Sequence, residues 1–327
     1  MSALVEVKDL AKVFDVSAPW LNRVVERKPR QFVHAVDGVS FAIEKGKTLA
    51  LVGESGCGKS TVARLLVGLY APTRGEVHFD GQDTRSVTDR RALHQRMQMI
   101  FQDPYASLNP RWLVRDIVGE PLREHGIARD PDTLKQRVGD LLLSVGMAAA
   151  DMDKFPHQFS GGQRQRISIA RALATQPEFL VCDEPTSALD VSVQAQVLNI
   201  MKDLQRQQGL TYLFISHNLA VVRHVSDEVG VMYLGRLVEV APKRALFGAP
   251  RHPYTRMLLD AIPDIHMSGR SRTPVQGEVP NPLAPPPGCS FHPRCPHANA
   301  RCSQERPAML ELKGGRVACH AVEEGRI

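Results

Sequence analysis

The stretch Gly53-Glu-Ser-Gly-Cys-Gly-Lys59-Ser60-Thr61 follows the apolar run Thr48 to Val52 and precedes a segment, 59 to 69, with helical spacing. It fits the pattern G-x4-G-K-[ST], in which glycines let backbone N–H groups converge on phosphate oxygens and a helix N-terminus adds a positive field. Lys59 is expected to reach the outer phosphates, and Ser60 to offer its hydroxyl to Mg2+. The sequence therefore predicts a nucleotide phosphate site here.

A second element, Leu180-Val-Cys-Asp183-Glu184, reads as an apolar strand that ends in two carboxylates. Buried unpaired charge is costly, so these side chains are expected to have partners. Asp183 would hold Mg2+ directly or through water, and Glu184 would polarise the water that attacks the γ-phosphate. The alternative is that either acid only caps the helix that begins near Pro185.

A third element, Ser160-Gly161-Gly162-Gln163, lies at the start of a predicted helix and forms a second helix terminus that can bind an anion. Two phosphate-binding helix ends in one chain suggest that one of them serves a neighbouring subunit. Short segments elsewhere complete the pattern, namely Phe14, Gln102, Ser187-Ala-Leu-Asp190 and His217.

Taken together, these motifs resemble those of the ABC-type ATPases over residues 2 to about 245. The resemblance implies that Gln102 is the Q-loop glutamine, that Asp190 belongs to the D-loop, and that His217 orients the attacking water. Phe14 would stack on adenine, although core packing is an alternative for this ring. Two departures are visible: Phe159 precedes the signature where Leu is commoner, and Asn218 follows His217 where Asp is usual.

The resemblance implies a full set of site residues. Those expected to bind ATP are Phe14, Gly53, Ser55, Gly56, Cys57, Gly58, Lys59, Ser60, Thr61, Gln102 and Asp183, with Ser160, Gly161, Gly162, Gln163 and Asp190 facing the ATP of a second subunit. The expected catalytic residues are Glu184, His217 and Gln102. Mg2+ is expected on Ser60, Gln102 and Asp183.

The implied fold is α/β: a P-loop NTPase (RecA-like) core with an antiparallel β edge and a helical signature subdomain at about 103–172. Residues 1–262 would form the nucleotide-binding domain, and 263–327 a small Cys-rich extension behind a Pro-rich linker at 273–288. The pattern itself predicts strands at 3–8 and 32–44, buried parallel strands at 179–182 and 212–215, a hairpin at 229–240, and helices across 110–175.

Three further segments narrow the resemblance: Phe101 to Arg111, His252-Pro-Tyr-Thr255, and Pro285 to Cys289. They are similar to segments of the dipeptide and oligopeptide importer ATPases, and most of all to the F-type subunits. This implies a second ATPase subunit, of a distinct D-type, and two membrane permease subunits. An extracytoplasmic peptide-binding protein would act indirectly. The implied location is peripheral, on the cytoplasmic face of the inner membrane.

Four cysteines crowd the C-terminal tail, at Cys289, Cys295, Cys302 and Cys319. In a reducing compartment such a group more often holds metal than disulfides. An iron–sulfur cluster, zinc, and free thiols or disulfides all remain open, although zinc usually shows a closer C-x2-C pair. The importer resemblance implies a [4Fe-4S] cluster. Cys57, beside a helix N-terminus, is expected to be a reactive thiolate, with an inert residue as the alternative.

Composition limits the other function classes. The 327 residues carry a net charge of +6, and no apolar run approaches the roughly 18 to 20 residues that span a bilayer. No secretory signal is visible, so a cytosolic location is expected. A basic stretch, 22–30, reads as a solvated loop or as a contact with a membrane or partner. No nucleic acid is expected, but a soluble ABC ATPase acting on nucleic acid or ribosomes, and an importer of another solute such as a nickel chelate, are the alternatives.

Overall fold

The computed structural model describes residues 3–27, 29–261 and 277–327. Within these ranges the strands are β1 (Ala3–Asp15), β2 (Phe32–Glu44), β3 (Thr48–Val52), β4 (Arg74–Phe79), β5 (Gln82–Asp83), β6 (Met97–Ile100), β7 (Phe179–Asp183), β8 (Thr211–Ile215), β9 (Glu228–Tyr233), β10 (Arg236–Pro242), β11 (Leu310–Leu312) and β12 (Gly315–Val317).

The α-helices in the same ranges are α1 (Trp20–Glu26), α2 (Lys59–Leu66), α3 (Arg90–Arg96), α4 (Pro104–Ser107), α5 (Val114–Glu124), α6 (Pro131–Ser144), α7 (Gly161–Leu173), α8 (Val191–Gln208), α9 (Leu219–Val225), α10 (Lys243–Gly248), α11 (Pro253–Asp260), α12 (Ala300–Gln304) and α13 (His320–Glu323). Short 3-10 turns cover Ala149–Asp153, Pro156–Gln158 and His292–Arg294. No described helix is long and apolar enough to cross a membrane.

The chain packs as two compact units. Unit 1 comprises Met1–Val5, Ala42–Thr48 and His78–Ser216, and unit 2 comprises Glu6–Phe41, Leu49–Val77 and His217–Ile327. The predicted domain boundary at 262/263 and the linker residues 273–276 lie outside the described residues, so that division stays a prediction.

In unit 1, strands β8, β7 and β6 lie side by side in that order. Both pairings are parallel, with Met97 opposite Phe179 and Asp183 opposite Ile215. Every residue of β7 and β8 is buried, which confirms the prediction from their continuous apolar runs. Because parallel strands end at one edge, the segments that follow β6 and β7 emerge at the same edge of the sheet.

Helices α5, α6 and α7 also belong to unit 1 and confirm the predicted helical content of 110–175. Asp130 caps α6 by accepting from the N–H of Thr133 at 2.8 Å, and Ser160 caps α7. Apolar residues on these helices, such as Ile117, Val138 and Leu142, are at most 2% exposed. The bounds of the helical subdomain, about 103–172, stay a prediction.

In unit 2, strands β3, β9, β10, β12 and β11 follow one another across a sheet. Residues 49–52 of β3 pair parallel with β9, and β9 turns at Leu234–Gly235 into antiparallel β10, as the hairpin prediction required. The tail then adds β12 to β10, with Glu239 opposite Val317. The core below includes Val231, Tyr233, Tyr254 and Phe291, each at most 2% exposed.

Strand β1 confirms the prediction for 3–8 but continues to Asp15, and β2 covers the predicted 32–44. The prediction of a loop over 22–30 is wrong for its first half, because α1 covers Trp20–Glu26. The apolar residues at positions 20, 21, 24 and 25 have helical spacing. The loop prediction relied on the basic residues of the segment and overlooked this spacing. The helix ends at Arg27, which adopts a left-handed φ of 49°.

Candidate functional site

The loop between β3 and α2 depends on two glycines. Gly53 has φ 153° and Gly58 has φ 105°. A Cβ at Gly53 would lie 2.2 Å from the carbonyl oxygen of Met232, and one at Gly58 would lie 2.1 Å from that of Ala35. Only glycine allows the backbone this close, so the loop is held in one shape with its amides at the start of α2.

Lys59 begins α2 and is 4% exposed. Its Nζ donates hydrogen bonds to the carbonyl oxygens of Gly53, at 2.9 Å, and Glu54, at 3.0 Å. The ammonium group therefore lies inside the curve of the loop, where phosphate oxygens would replace or join these carbonyl partners. All loop residues predicted to bind phosphate, Gly53, Ser55, Gly56, Cys57, Gly58, Lys59, Ser60 and Thr61, lie on this loop and the first turn of α2.

The expected reactive thiolate at Cys57 is wrong. Cys57 is only 5% exposed, and burial raises the pKa of its thiol. The Lys59 ammonium, 3.8 Å from Sγ, lowers that pKa, but by less than burial raises it.

Sequence reasoning missed two residues that contact the phosphate loop from the C-terminal part of unit 2. Arg294 donates two hydrogen bonds to the carboxylate of Glu54, and the hydroxyl of Tyr254 accepts one from the backbone N–H of Glu54. Tyr254 belongs to the His252–Thr255 segment, which the importer resemblance singled out. For Arg294, no local pattern in the sequence gave a signal.

In unit 1, the structure brings Gln102 and Glu184 together. Nε2 of Gln102 donates to Oε2 of Glu184 at 3.1 Å. Glu184 adopts a left-handed φ of 46°, and its N–H donates to the carbonyl oxygen of Ile215 at 3.1 Å. Asp183, the last residue of β7, is 2% exposed. The two acids therefore occupy the carboxyl end of a parallel strand, as the sequence predicts, and neither is the N-cap of α8.

Asp190 is the N-cap of α8. Its Oδ1 accepts from the N–H of Val193 at 2.9 Å and from the hydroxyl of Ser192 at 2.7 Å. These hydrogen bonds lower the pKa of Asp190, first of all the one from Val193, so the side chain is ionised at neutral pH. Ser187 accompanies it by donating its N–H and hydroxyl to the carbonyl oxygen of Glu184, at 3.2 and 3.0 Å.

Ser160 and Gln163 form a capping box at the start of α7. Ser160 Oγ accepts from the N–H of Gln163 at 3.4 Å, and Gln163 Oε1 accepts from the N–H of Ser160 at 3.0 Å. A Cβ at Gly162 would lie 2.2 Å from Cγ1 of Val193, so glycine lets α7 approach α8 closely. Phe159, the departure before this motif, is 6% exposed and packs in the core.

Phe14 and His217 belong to unit 2. The Phe14 ring packs edge-on against Tyr70, with centroids 5.4 Å apart, and the Lys12 ammonium lies 5.2 Å from its centroid. His217 is exposed. Asn218 is the N-cap of α9 through Oδ1, which accepts from Ala220 at 3.0 Å. Since Asn and Asp cap equally well, this departure leaves the start of α9 intact.

The four tail cysteines share one part of unit 2, and none of them forms a disulfide. The N–H of Cys289 donates to the carbonyl oxygen of Cys302 at 2.8 Å. Burial raises the pKa of Cys289 to about 11, with smaller upward contributions from Cys319, Cys302 and Cys295. Among the described residues, no group of three or more His, Cys, Asp or Glu side chains could hold a metal ion. This arrangement supports neither the implied [4Fe-4S] cluster nor the zinc alternative.

Comparison with known proteins agrees with these motifs. Residues 36–187 match the family described as "ABC transporter", and residues 238–302 match "Oligopeptide/dipeptide transporter, C-terminal region". The chain is 47% identical to the oligopeptide transport ATP-binding protein AppF of Bacillus subtilis, covering 97% of each chain. It is 49% identical to the dipeptide transport ATP-binding protein DppF of Escherichia coli, covering 90% of this chain and 89% of the relative.

Solved structures give the same fold. The dimeric ATP-binding cassette MJ0796, in a post-hydrolysis state with ADP and Pi, matches with a TM-score of 0.64 at 26% identity, over 73% of this chain and 99% of that one. CbiO1 from Clostridium perfringens, part of the ABC transporter complex cbiONQ, matches with a TM-score of 0.63 at 25% identity, over 76% of this chain and 92% of that one. With near-half identity along almost its whole length, the chain belongs to the ATP-binding proteins of the oligopeptide/dipeptide ABC transporter family.

Proposed function

We propose that this chain hydrolyses ATP to energise import of dipeptides or oligopeptides through a membrane ABC transporter. Members of the family are ATPases, and the chain keeps each motif that hydrolysis needs. The observation that carries the chemistry is the Glu184 carboxylate, held by Gln102 at the end of a buried parallel strand. The substrate class rests on relatives whose names specify peptide transport.

In the proposed mechanism, Lys59 and the amides of the phosphate loop bind the β- and γ-phosphates. Ser60, Asp183 and Gln102 offer only hard oxygen donors, a hydroxyl, a carboxylate and an amide, which suits Mg2+. When bound, Mg2+ would offset the negative charge of the phosphates. Glu184 accepts the proton of the attacking water. His217 forms a hydrogen bond with the γ-phosphate and orients the attacking water. Phe14 stacks on adenine.

The start of α7 acts on the ATP of a second ATPase subunit. The capping box fixes Ser160, and Gly161 and Gly162 leave the helix amides uncovered by side chains, which suits an approaching γ-phosphate. Gln163 and Asp190 face the same subunit interface. We infer that the partner is a distinct D-type ATPase, that the pair docks on two permease subunits, and that a peptide-binding protein contacts the permease outside. The chain then works peripherally on the cytoplasmic face of the inner membrane.

We also propose that Cys289, Cys295, Cys302 and Cys319 hold a [4Fe-4S] cluster. The support is the importer resemblance together with the proximity of the four thiols, since Cys319, Cys302 and Cys295 each raise the pKa of Cys289. Four thiolates suit such a cluster, because each binds a different iron. Arg326 Nη2, 3.8 Å from Cys302 Sγ, adds a positive charge that would offset thiolate charge. The cluster would supply a covalent crosslink to a short tail with little core.

The test is reconstitution of the whole transporter in lipid vesicles with its binding protein. ATP turnover should rise when a dipeptide or short oligopeptide is added, and should stay at background in a complex that carries Glu184→Gln. Stimulation by a nickel chelate but not by peptides would favour the other-solute alternative. Stimulation of the isolated chain by RNA or DNA, with none by peptide in the complex, would favour the soluble ATPase.

A further inference from the structure

Glu54, the second residue of the phosphate loop, is held through both its side chain and its backbone. Nη1 and Nη2 of Arg294 donate to its two carboxylate oxygens at 2.8 and 2.9 Å. Its own N–H donates to the hydroxyl of Tyr254 at 2.9 Å. A two-point guanidinium–carboxylate contact fixes orientation as well as distance, so the loop is tied to the C-terminal part of unit 2.

The groups that hold Glu54 are themselves immobilised. Arg294 Nη1 also lies 3.3 Å from the hydroxyl of Tyr233, and the rings of Tyr233, Tyr254 and Phe291 pack on one another with centroids 4.7 to 5.4 Å apart. All three rings are at most 2% exposed. Nδ1 of His252 accepts the N–H of Tyr254 at 3.0 Å, which is possible because burial lowers the pKa of His252 to about 3.

The Arg294–Glu54 contact also changes the net charge of the phosphate loop. The Glu54 carboxylate is part of a loop that binds a polyanion, and without compensation it would repel the phosphates. The Arg294 side chain is 2% exposed and that of Glu54 is 25% exposed, so solvent screens their interaction only in part. Removing the guanidinium would therefore leave a poorly solvated negative charge in the loop.

We propose that Arg294 is a positioning residue of the nucleotide site, which acts through Glu54 to fix the phosphate loop and to cancel its negative charge. Arg294 directly precedes Cys295, so the cysteine-bearing tail sets the affinity for ATP without touching the nucleotide. The proposal rests on nucleotide binding alone and is independent of which solute the transporter carries.

The test measures dissociation constants of the full-length chain for MgATP, MgADP and adenosine. Arg294→Met should weaken MgATP binding roughly 10- to 100-fold, weaken MgADP less, and leave adenosine unchanged, because charged hydrogen bonds contribute on that scale and the repulsion grows with phosphate charge. Adding Glu54→Gln to Arg294→Met should restore most of the MgATP affinity. The matched control is Arg316→Met, an arginine of the same tail that pairs with Glu311.

Three results would overturn the proposal. One is native MgATP affinity in the folded Arg294→Met variant. Another is an equal loss for adenosine and MgATP, and the third is no recovery on adding Glu54→Gln; either would show that Arg294 only supports the fold. If Arg294→Met does not fold, Arg294→Lys decides the question, since it keeps the charge but loses the two-point contact. It should bind MgATP more weakly than the native chain, and native affinity there overturns the proposal.

Discussion

The side-chain amide of Gln102 donates a 3.1 Å hydrogen bond to Oε2 of Glu184, although the two residues are 82 positions apart. The parallel pairing of β6 with β7 explains this contact, because Ile100 lies opposite Cys182 and the two chains leave the sheet at the same edge. A carboxylate fixed in this way can accept a proton in a defined direction. Gln102 therefore orients the group that we assign as the general base.

Replacing Glu184 tests that role. Glu184→Gln should keep ATP binding but slow hydrolysis roughly 100- to 10,000-fold, because an amide cannot accept the proton of the attacking water. Gln102→Ala should slow hydrolysis less, since the carboxylate survives without its donor. Steady-state phosphate release by the assembled complex is the measurement, with Glu124→Gln, on the exposed end of α5, as the control. A near-native rate for Glu184→Gln would falsify the assignment.

Removing the Lys59 ammonium should weaken nucleotide binding. Lys59→Met keeps the length of the side chain but loses the charge buried inside the loop, so MgATP affinity should fall at least about tenfold. Titration with a fluorescent ATP analogue measures the change. Lys135→Met, on the exposed face of α6, should bind as the native chain does. Equal affinities in all three proteins would mean that phosphates bind elsewhere.

The close approach of α7 and α8 predicts that Gly162→Ala changes the free energy of unfolding. The sign of the change should depend on whether residue 193 is Val or Ala. Gly162→Ala places a methyl group 2.2 Å from Cγ1 of Val193, and such overpacking should cost about 1–3 kcal/mol of unfolding free energy. In a Val193→Ala background the clash is gone, so Gly162→Ala should be neutral or stabilising through helix propensity. Urea unfolding of the four proteins forms the cycle. The same loss in both backgrounds would contradict the packing argument.

Acid stability should depend on Glu178. Its carboxylate accepts from Arg96 Nε at 2.6 Å and from Lys45 Nζ at 2.9 Å. The Arg96 hydrogen bond lowers the pKa of Glu178 below the unfolded reference of 4.5 despite some burial. Its stabilisation is therefore complete above the unfolded pKa and is lost as pH falls through the folded one.

Melting temperatures measured between neutral pH and the acid limit test this linkage. The native chain should lose more on acidification than Glu178→Gln, which has no carboxylate to protonate. Glu6→Gln, which removes an exposed partner of Lys8, should follow the native curve. Parallel curves for the native chain and Glu178→Gln would exclude Glu178 as the group responsible.

Replacing one tail cysteine should remove the proposed iron–sulfur cluster. Cys302→Ser, in chain prepared without oxygen, should abolish bound iron and the visible absorption of a cluster, because one iron loses its thiolate. The cooperative melt of the nucleotide-binding part should persist. Native protein without iron would remove the cluster proposal, whereas zinc in its place would revive the alternative.

The local pattern of apolar and polar residues predicted several strands of this protein. Phe179–Cys182 and Tyr212–Ile215 are continuous apolar runs, and burial on both faces leaves few other structures for them. The prediction of a reactive thiolate at Cys57 is wrong because the sequence shows that Cys57 lies near a helix terminus but does not show that its thiol is buried. Burial depends on the whole fold. The link from Arg294 to Glu54 spans 240 positions, and no local propensity encodes such a contact.

The pairing of β12 with β10 bears on how this protein can be shortened. Residues 315–317 cover one edge of β10, and the N–H of Ala318 adds a 2.8 Å bond to Val238. A truncated form that stops before residue 310 would present that edge, and the apolar side chains around Val240, to other molecules. Such a fragment should aggregate through edge-to-edge strand addition, so expression of a soluble catalytic fragment requires the C-terminus to be retained.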